Sequence, residues 1–278
     1  MQLGFARAGG GPVPARVVRQ PATSRKDIAL TDGSLLQQRI DLACALRWAA
    51  RLGLHEGVCN HFSLAVADED GKVRGDRFLI NPYGWHWSEI TASSLVLCDA
   101  ESNVVEGTNA VEPTAFFIHS RIHLKAPQAV CVLHTHMPYA TALTLRRDGR
   151  LAMCEQNALL FYGRLAYDDE YGGLALDGSE GDRIAARLGN ASVVMLASHG
   201  VIVTGRTVAQ AFNDLYYLER AAQAQVLAAS GGHALRTIPE EVQRRAAQQH
   251  MQEYDGLSER LFGAYRRLLD KEEPEYRS

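Results

Sequence analysis

The stretch AVCVLHTHMPYA, residues 129–140, carries five apolar residues directly into His134-Thr135-His136. An apolar run of this length that ends near a proline is typical of a buried strand that stops at a turn. On a strand, residues two apart point to the same face, so His134 and His136 present two imidazoles side by side. First-row metals bind imidazole readily, and the pair is a candidate metal site. Two hydrogen-bonded histidines at a strand end are the alternative interpretation.

A third histidine strengthens the metal interpretation. His199 also follows an apolar run, VVMLA, and a glycine comes directly after it. Three histidines at strand ends would leave an open position for substrate or water. His119 and His123 are a competing pair, because residues four apart on a helix share one face. For that pair, lining the seam between a helix and the sheet is the simpler expectation.

Composition narrows the class of protein. The 278 residues carry a net charge of −3 with 46% hydrophobic residues, which gives no electrostatic reason to expect nucleic acid or a membrane as partner. The five cysteines are scattered and form no CxxC pair, as expected for reduced thiols in a cytoplasmic protein. No apolar run approaches the roughly 18–20 residues of a membrane span, and no signal-peptide core is visible at the N-terminus.

Periodicity predicts one domain of strands flanked by helices. We expect a loose arm over residues 1–30, the main domain over 31–235 and a C-terminal helical extension over 236–278. Strands are predicted between Gly57 and Asp99, at 129–133, and on both sides of Ser198-His199-Gly200. Helices are predicted from about residue 35 to Gly53, from 114 to 125 and over 181–189. A long helix is predicted to begin at the capping-box pair Thr207 and Gln210. A polar helical tail follows, in which Gly256 is expected to cause a break.

The segment NPYGWHWSEIT, residues 81–91, alternates aromatic residues with turn formers. Tyr83, Trp85 and Trp87 would form either a pocket wall for a flat apolar ligand or an aromatic strand packed on the core.

These motifs occur in an order that is specific. HTH after a buried strand, SHGVIVTGRTVAQAF some 60 residues later, the upstream NPYGWHWSEIT and the helix YYLERAAQAQ together resemble the class II aldolase/adducin N-terminal-domain family over roughly residues 35–230. The resemblance implies an α/β fold, a three-layer α/β/α sandwich around a mostly antiparallel sheet. It also implies a divalent metal on His134, His136 and His199, and a homotetramer with active sites at subunit boundaries.

The sequence departs from the sugar-phosphate aldolases of that family at the acid/base position. Their glutamate, in the first turn of the helix before the His-x-His motif, falls here on Ala115, and Glu112 lies three residues earlier. The family's phosphate-holding positions fall on His61, Tyr83, Pro113 and Thr114. This loss of phosphate donors disfavours a phosphorylated sugar and favours a flat, carboxylated substrate. The candidate catalytic residues are therefore His61, Tyr83, His119 and Glu112, beside the metal.

Three functions remain open at this point. The favoured one is a non-haem Fe(II) oxygenase that uses O₂ to cleave a C–C bond of an aromatic 2-oxo or 2-hydroxy acid. Chain length and the Gly- and Arg-rich arm look similar to the oxygenases of aminocoumarin antibiotic pathways, which shorten a prenylated 4-hydroxyphenylpyruvate to a 4-hydroxybenzoate. The second is a Zn²⁺- or Mn²⁺-dependent lyase or decarboxylase acting on a non-phosphorylated substrate. The third is a non-catalytic scaffold, as in adducin.

Overall fold

An eight-stranded sheet runs through the computed structural model, which describes residues 35–68, 70–101, 103–174 and 177–278; the predicted arm over 1–30 lies outside these ranges. The strands are β1 (His61–Ala65), β2 (Arg77–Ile80), β3 (Val96–Asp99), β4 (Val104–Glu106), β5 (Cys131–Thr135), β6 (Leu165–Asp168), β7 (Val193–Leu196) and β8 (Gly200–Gly205). Their order is β4-β3-β2-β1-β5-β8-β7-β6. Every neighbouring pair is antiparallel except β6 and β7, which confirms the expected mostly antiparallel sheet.

Helices cover both faces of the sheet. They are α1 (Leu35–Arg51), α2 (Pro113–Lys125), α3 (Pro138–Thr144), α4 (Gly178–Leu188), α5 (Val208–Ala229) and α6 (Glu240–Glu272). Apolar residues of α2 and α4 pack on one face, whereas those of α1, α3, α5 and α6 pack on the other. The three-layer α/β/α sandwich is therefore confirmed. No helix in the described ranges is both long and apolar enough to cross a membrane.

Alternation along the central strands decides which side chains face which layer. In β5, Cys131 and Leu133 join the cluster under α1 and α5, and Val132 joins the cluster under α2 and α4. In β1, Phe62 and Leu64 face the α1 side. The intervening residues of both strands, including His61 and His134, therefore point toward the α2 side, and these two are direct partners in the β1–β5 register.

The long C-terminal helix is continuous, so the predicted break at Gly256 is wrong. A glycine inside a helix costs only about 1 kcal/mol relative to alanine, and packing offsets a penalty of that size. Phe262 and Leu269 of α6 are buried in the same core cluster as α1 and α5. Arg164 forms a buried ion pair with Asp214 of α5, and its guanidinium also donates a hydrogen bond to the hydroxyl of Tyr254 in α6.

The aromatic segment at 81–91 does not form the strand that one of the two interpretations expected, whereas a role as a pocket wall stays a prediction. Trp87 begins a single 3₁₀ turn, Trp87–Glu89, and is fully buried against Phe62. Tyr83 and Trp85 lie exposed on the preceding turn, where Gly84 has φ +77°. The spacing of the aromatics reflects a turn that places one large side chain in the core, because the positive φ breaks any strand alternation.

Candidate metal centre

Three histidines converge at one edge of the central strands. His134 is the second-last residue of β5, His136 directly follows that strand, and His199 lies in the turn between β7 and β8. One ring nitrogen from each lies within 4.8 Å of the others, and the ring centroids are 4.8–5.0 Å apart. The antiparallel register of β5 with β8, in which Thr135 pairs with Val201, creates this meeting point.

The outer hydrogen bonds show which nitrogen His134 and His136 turn inward. Nδ1 of His134 lies 3.0 Å from the carbonyl oxygen of Val201, which can only accept, so Nε2 is the free lone pair. Nδ1 of His136 lies 2.5 Å from a carboxylate oxygen of Glu56. Nε2 of His136 is buried and has no hydrogen-bond partner among the described residues. Metal-bound histidines are typically held in this way by an outer carbonyl or carboxylate.

Electrostatics keep His134 and His199 neutral, as metal ligands must be. Burial, together with the neighbouring imidazoles, lowers the pKa of His134 well below its usual value. Burial lowers the pKa of His199 to about 4, and the nearby His136, His61 and Arg183 act in the same direction. Three converging imidazoles, one of which has an unpartnered buried nitrogen, fit a divalent first-row metal and leave coordination positions open.

The backbone next to two of the site histidines adopts uncommon conformations. Asn60, directly before His61, has φ +76°, and Ser198, directly before His199, has φ +56°. Non-glycine residues in this region store roughly 1–3 kcal/mol each and cluster at functional sites. The side-chain oxygen of Asn60 also accepts a hydrogen bond from the backbone N–H of His136, 3.2 Å away. This residue therefore ties the start of β1 to the metal-ligand segment.

A second layer begins with His61 and Glu112. The ring of His61 stacks on that of His134 with centroids 5.8 Å apart, and its Nε2 lies 3.1 Å from a carboxylate oxygen of Glu112. Glu112 is the N-cap of α2 and accepts the backbone N–H of Ala115 at 2.8 Å. Burial would raise the pKa of Glu112, but hydrogen bonds from His61, Thr114 and Ala115 lower it to about 2, so the carboxylate is ionised.

The residue to which the family resemblance assigns the aldolase glutamate lies in the core. Ala115 is fully buried in the cluster formed by Phe78 and Ile80. Glu112 precedes Ala115 by three residues. Its carboxylate contacts His61 and does not belong to the group formed by the three histidine nitrogens.

His119 and His123 line the seam between α2 and the sheet. Ser63 of β1 lies between them, with its Oγ 2.6 Å from Nδ1 of His119 and 2.7 Å from Nε2 of His123. Neither histidine belongs to the group of three formed by His134, His136 and His199. Tyr83, by contrast, has 57% of its surface exposed; its backbone N–H bonds to Ala110, and no contact of its ring with the histidines is described. Its catalytic role stays a prediction.

Two residues of the site lie outside the predicted set. Glu56 is 80 residues from its partner His136, and Ser63 is 56 residues from His119. The hint in the sequence is positional. Ser63 follows His61 by two residues, so it faces the same side of β1.

Comparison with known proteins places the chain in a family. Residues 40–226 match the sequence profile of the class II aldolase and adducin N-terminal domain family, and the chain belongs to this family. A solved structure described as an aldolase II superfamily protein from Pseudomonas syringae has 34% sequence identity, covers 90% of this chain and 98% of its own, and superposes with a TM-score of 0.81.

Two curated relatives differ in what their names say. A Caulobacter vibrioides protein, named only by class as an aldolase class 2 protein, is 35% identical over 246 residues, 86% of this chain and 91% of its own. A Streptomyces roseochromogenus protein is 33% identical over 209 residues, 74% of this chain and 73% of its own. It is named 4-hydroxy-3-prenylphenylpyruvate oxygenase/4-hydroxy-3-prenylbenzoate synthase.

Proposed function

We propose that this protein is a metal-dependent enzyme that cleaves a C–C bond of an aromatic 2-oxo or 2-hydroxy acid, most simply as a non-haem Fe(II) oxygenase. One observation carries the proposal. The three imidazoles converge as a metal site requires, and on the family resemblance the aldolase glutamate falls on the buried Ala115 and a phosphate-holding position falls on His61. The name of the Streptomyces relative, oxygenase of a prenylated phenylpyruvate and synthase of a prenylated benzoate, supports the same class of substrate.

The proposed chemistry balances with O₂ as co-substrate. One O₂ converts an arylpyruvate into an arylmandelate and CO₂. A second converts the arylmandelate into an arylcarboxylate, CO₂ and water. The substrate supplies the electrons for O₂ reduction, and a bound Fe(II) would supply O₂ activation and a chelation site for the substrate carboxylate and its neighbouring oxygen.

The protein's own residues would orient the substrate and handle protons. His134, His136 and His199 would hold the metal. His61 would exchange a proton with the substrate at Nε2, the nitrogen beside the ionised Glu112. Side chains within hydrogen-bond reach of an ionised carboxylate are well placed for general acid–base work.

A lyase is the second candidate, and the His61–Glu112 contact favours it specifically. Retro-aldol cleavage or simple decarboxylation needs a metal that stabilises an enolate and a residue that returns a proton, and this pair supplies the proton carrier. Zn²⁺ or Mn²⁺ would serve in that case. An adducin-like scaffold is the third possibility, and it requires that metal removal change neither ligand binding nor turnover.

Anaerobic reconstitution separates these possibilities. Purified apoprotein is loaded with Fe(II) without oxygen, mixed with an arylpyruvate or arylmandelate, and then exposed to O₂ in an oxygen electrode. We expect O₂ uptake and CO₂ release in equal amounts, both abolished in His136→Ala and retained in His233→Ala, which removes an exposed histidine far along the chain. Product formation under strict anoxia would refute the oxygenase and favour the lyase.

The proposal includes a homo-oligomer, most simply a tetramer. Light scattering coupled to size-exclusion chromatography would show about four chain masses, and a single chain mass would contradict it.

A further inference from the structure

Behind the metal centre lies a chain of hydrogen bonds that the proposed chemistry has not used. Nδ1 of His123 lies 2.9 Å from the carbonyl oxygen of Ala129, and Nε2 of the same ring lies 2.7 Å from the hydroxyl of Ser63. That hydroxyl also lies 2.6 Å from Nδ1 of His119. Ser63, His119 and His123 are all fully or almost fully buried. We refer to these three residues as the relay.

The chemistry of the end groups fixes the direction of every proton in the relay. A carbonyl oxygen only accepts, so His123 carries its proton on Nδ1. Burial lowers the pKa of His123 to about 4, so the ring is neutral and its Nε2 accepts the single hydroxyl proton of Ser63. With that proton committed, the Ser63 oxygen is left to accept a proton from Nδ1 of His119. Nε2 of His119 is therefore an unprotonated lone pair.

The ring of His119 lies next to that of His61, edge-on, with centroids 5.7 Å apart. Nε2 of His119 and Nδ1 of His61 are both buried, and neither has a hydrogen-bond partner among the described residues. The other nitrogen of His61 lies 3.1 Å from the ionised carboxylate of Glu112, which can only accept, so that nitrogen carries a proton. An unpaired buried acceptor is costly, so Nε2 of His119 is available to a proton donor that reaches the site.

We propose that Ser63 and His123 are positioning residues, which fix His119 in its Nδ1–H form and so keep its Nε2 as a proton acceptor beside His61. In turnover this nitrogen would take up a proton at the edge of the candidate site. Only that last step rests on the proposed function. A neutral histidine whose far nitrogen is held by an oriented partner is the arrangement used to fix a tautomer in Ser-His-Asp enzymes, with a serine hydroxyl here in place of the carboxylate.

The tautomers can be measured directly. In protein carrying ¹⁵N-labelled histidine and loaded with diamagnetic Zn²⁺, long-range ¹H–¹⁵N correlation distinguishes Nδ1–H from Nε2–H rings. We expect the Nδ1–H form for both His119 and His123, assigned with His119→Gln and His123→Phe. Observation of the Nε2–H form for His119 in the wild type would overturn the proposal.

One substitution should reverse the direction of the hydrogen bond between Ser63 and His119 without replacing any of the three candidate metal ligands. His123→Phe keeps a ring beside Phe78, whose centroid is 5.3 Å from that of His123, but removes the acceptor for Ser63. The hydroxyl proton is then free to turn to Nδ1 of His119, and we expect His119 to switch to the Nε2–H form. Ser63→Ala should abolish the fixed tautomer by a second route. Persistence of the Nδ1–H form in both variants would refute the relay.

The kinetic readout separates positioning from general damage. In the assay for the proposed reaction, we expect His123→Phe to lower kcat by roughly 10²-fold, the scale of general acid–base catalysis, with KM and metal content unchanged. Ser258→Ala is the matched control. It removes a fully buried serine hydroxyl that bonds the carbonyl of Tyr254 in α6.

The two hypotheses fail in different ways. A parallel loss of metal and of kcat in His123→Phe, or an equal loss in Ser258→Ala, would refute the positioning role. If the wild type turns over no aryl acid, the proposed function fails, and the tautomer measurement still decides the relay.

Discussion

The contact between Glu56 and His136 allows a quantitative prediction for Glu56→Gln. The carboxylate oxygen lies 2.5 Å from Nδ1 of His136, the ring whose other nitrogen is buried and unpartnered. Glutamine keeps an oxygen that can accept the same proton but loses the charge that makes the imidazole a stronger ligand. The substitution should therefore weaken metal binding without preventing it.

The size of the effect follows from exposure. Loss of an outer carboxylate partner typically costs about 10- to 100-fold in metal affinity. The side chain of Glu56 is 65% exposed, so water screens its charge and can replace part of the contact. We therefore expect the lower end of that range, about tenfold, which corresponds to about 1.4 kcal/mol.

Competition with a chromophoric chelator at fixed pH measures the Zn²⁺ affinity. Glu106→Gln is the matched control, because Glu106 is 58% exposed and pairs with Arg39 at 2.9 Å on the edge strand β4. An affinity of Glu56→Gln within twofold of wild type would refute the orienting role. A loss as complete as that of His136→Ala would show instead that Glu56 is itself a ligand.

Three further predictions test the fold around the centre. Gly200→Ala should weaken metal binding by at least tenfold, because a Cβ at position 200 would lie 2.5 Å from the carbonyl oxygen of Thr135 and 2.8 Å from the ring of His136. Unchanged metal affinity in the chelator competition would contradict this prediction. Arg164→Met should lower the free energy of unfolding, measured by urea titration, by about 3–5 kcal/mol, because Asp214 would remain buried and unpaired. The control Arg260→Met, which breaks an exposed ion pair, should leave the free energy of unfolding within about 0.5 kcal/mol of wild type. His123 is neutral when folded, with a pKa of about 4 against 6.5 unfolded, so it contributes stability above pH 6.5 that is lost as the pH falls toward 4. His123→Phe should remove that part of the pH dependence, at most about 1.4 kcal/mol per pH unit, and a parallel pair of stability curves would refute it.

The elements with strong apolar patterns are the ones that the sequence predicts. β5, β7 and β8 are continuous buried runs, and Thr207 caps α5 by accepting from the backbone N–H of Gln210, as the capping-box spacing indicates. The reciprocal half of that box is absent, because the side chain of Gln210 accepts from Arg206 instead.

The missed elements have weak local signals and distant partners. All three residues of β4 are exposed, so no alternation marks this edge strand. The seven-residue α3 begins at Pro138, and its N-terminus is capped by Glu219, which accepts the backbone N–H groups of Tyr139 and Ala140 from some 80 residues away. A sequence pattern cannot contain a cap that only the folded chain brings into place.

The same distinction holds at the site. The convergence of the metal-ligand candidates was predictable because strand ends and HxH spacing are local features, whereas the assignment of the aldolase glutamate to Ala115 stays a prediction. Glu56 and Ser63 act through pairings that the sheet and α2 create. The inward reach of Glu112 depends on its position as the N-cap of α2, just before Pro113.

The left-handed residues Asn60 and Ser198 set a limit on engineering this protein for heat resistance. Glycine at position 198 would release strain of about 1 kcal/mol or more and should raise the melting temperature. It would also free the turn that aims His199, so the gain in durability would come at the expense of turnover. Screens that reward thermostability alone would favour this exchange, and stabilising substitutions are better sought in α6, away from both turns.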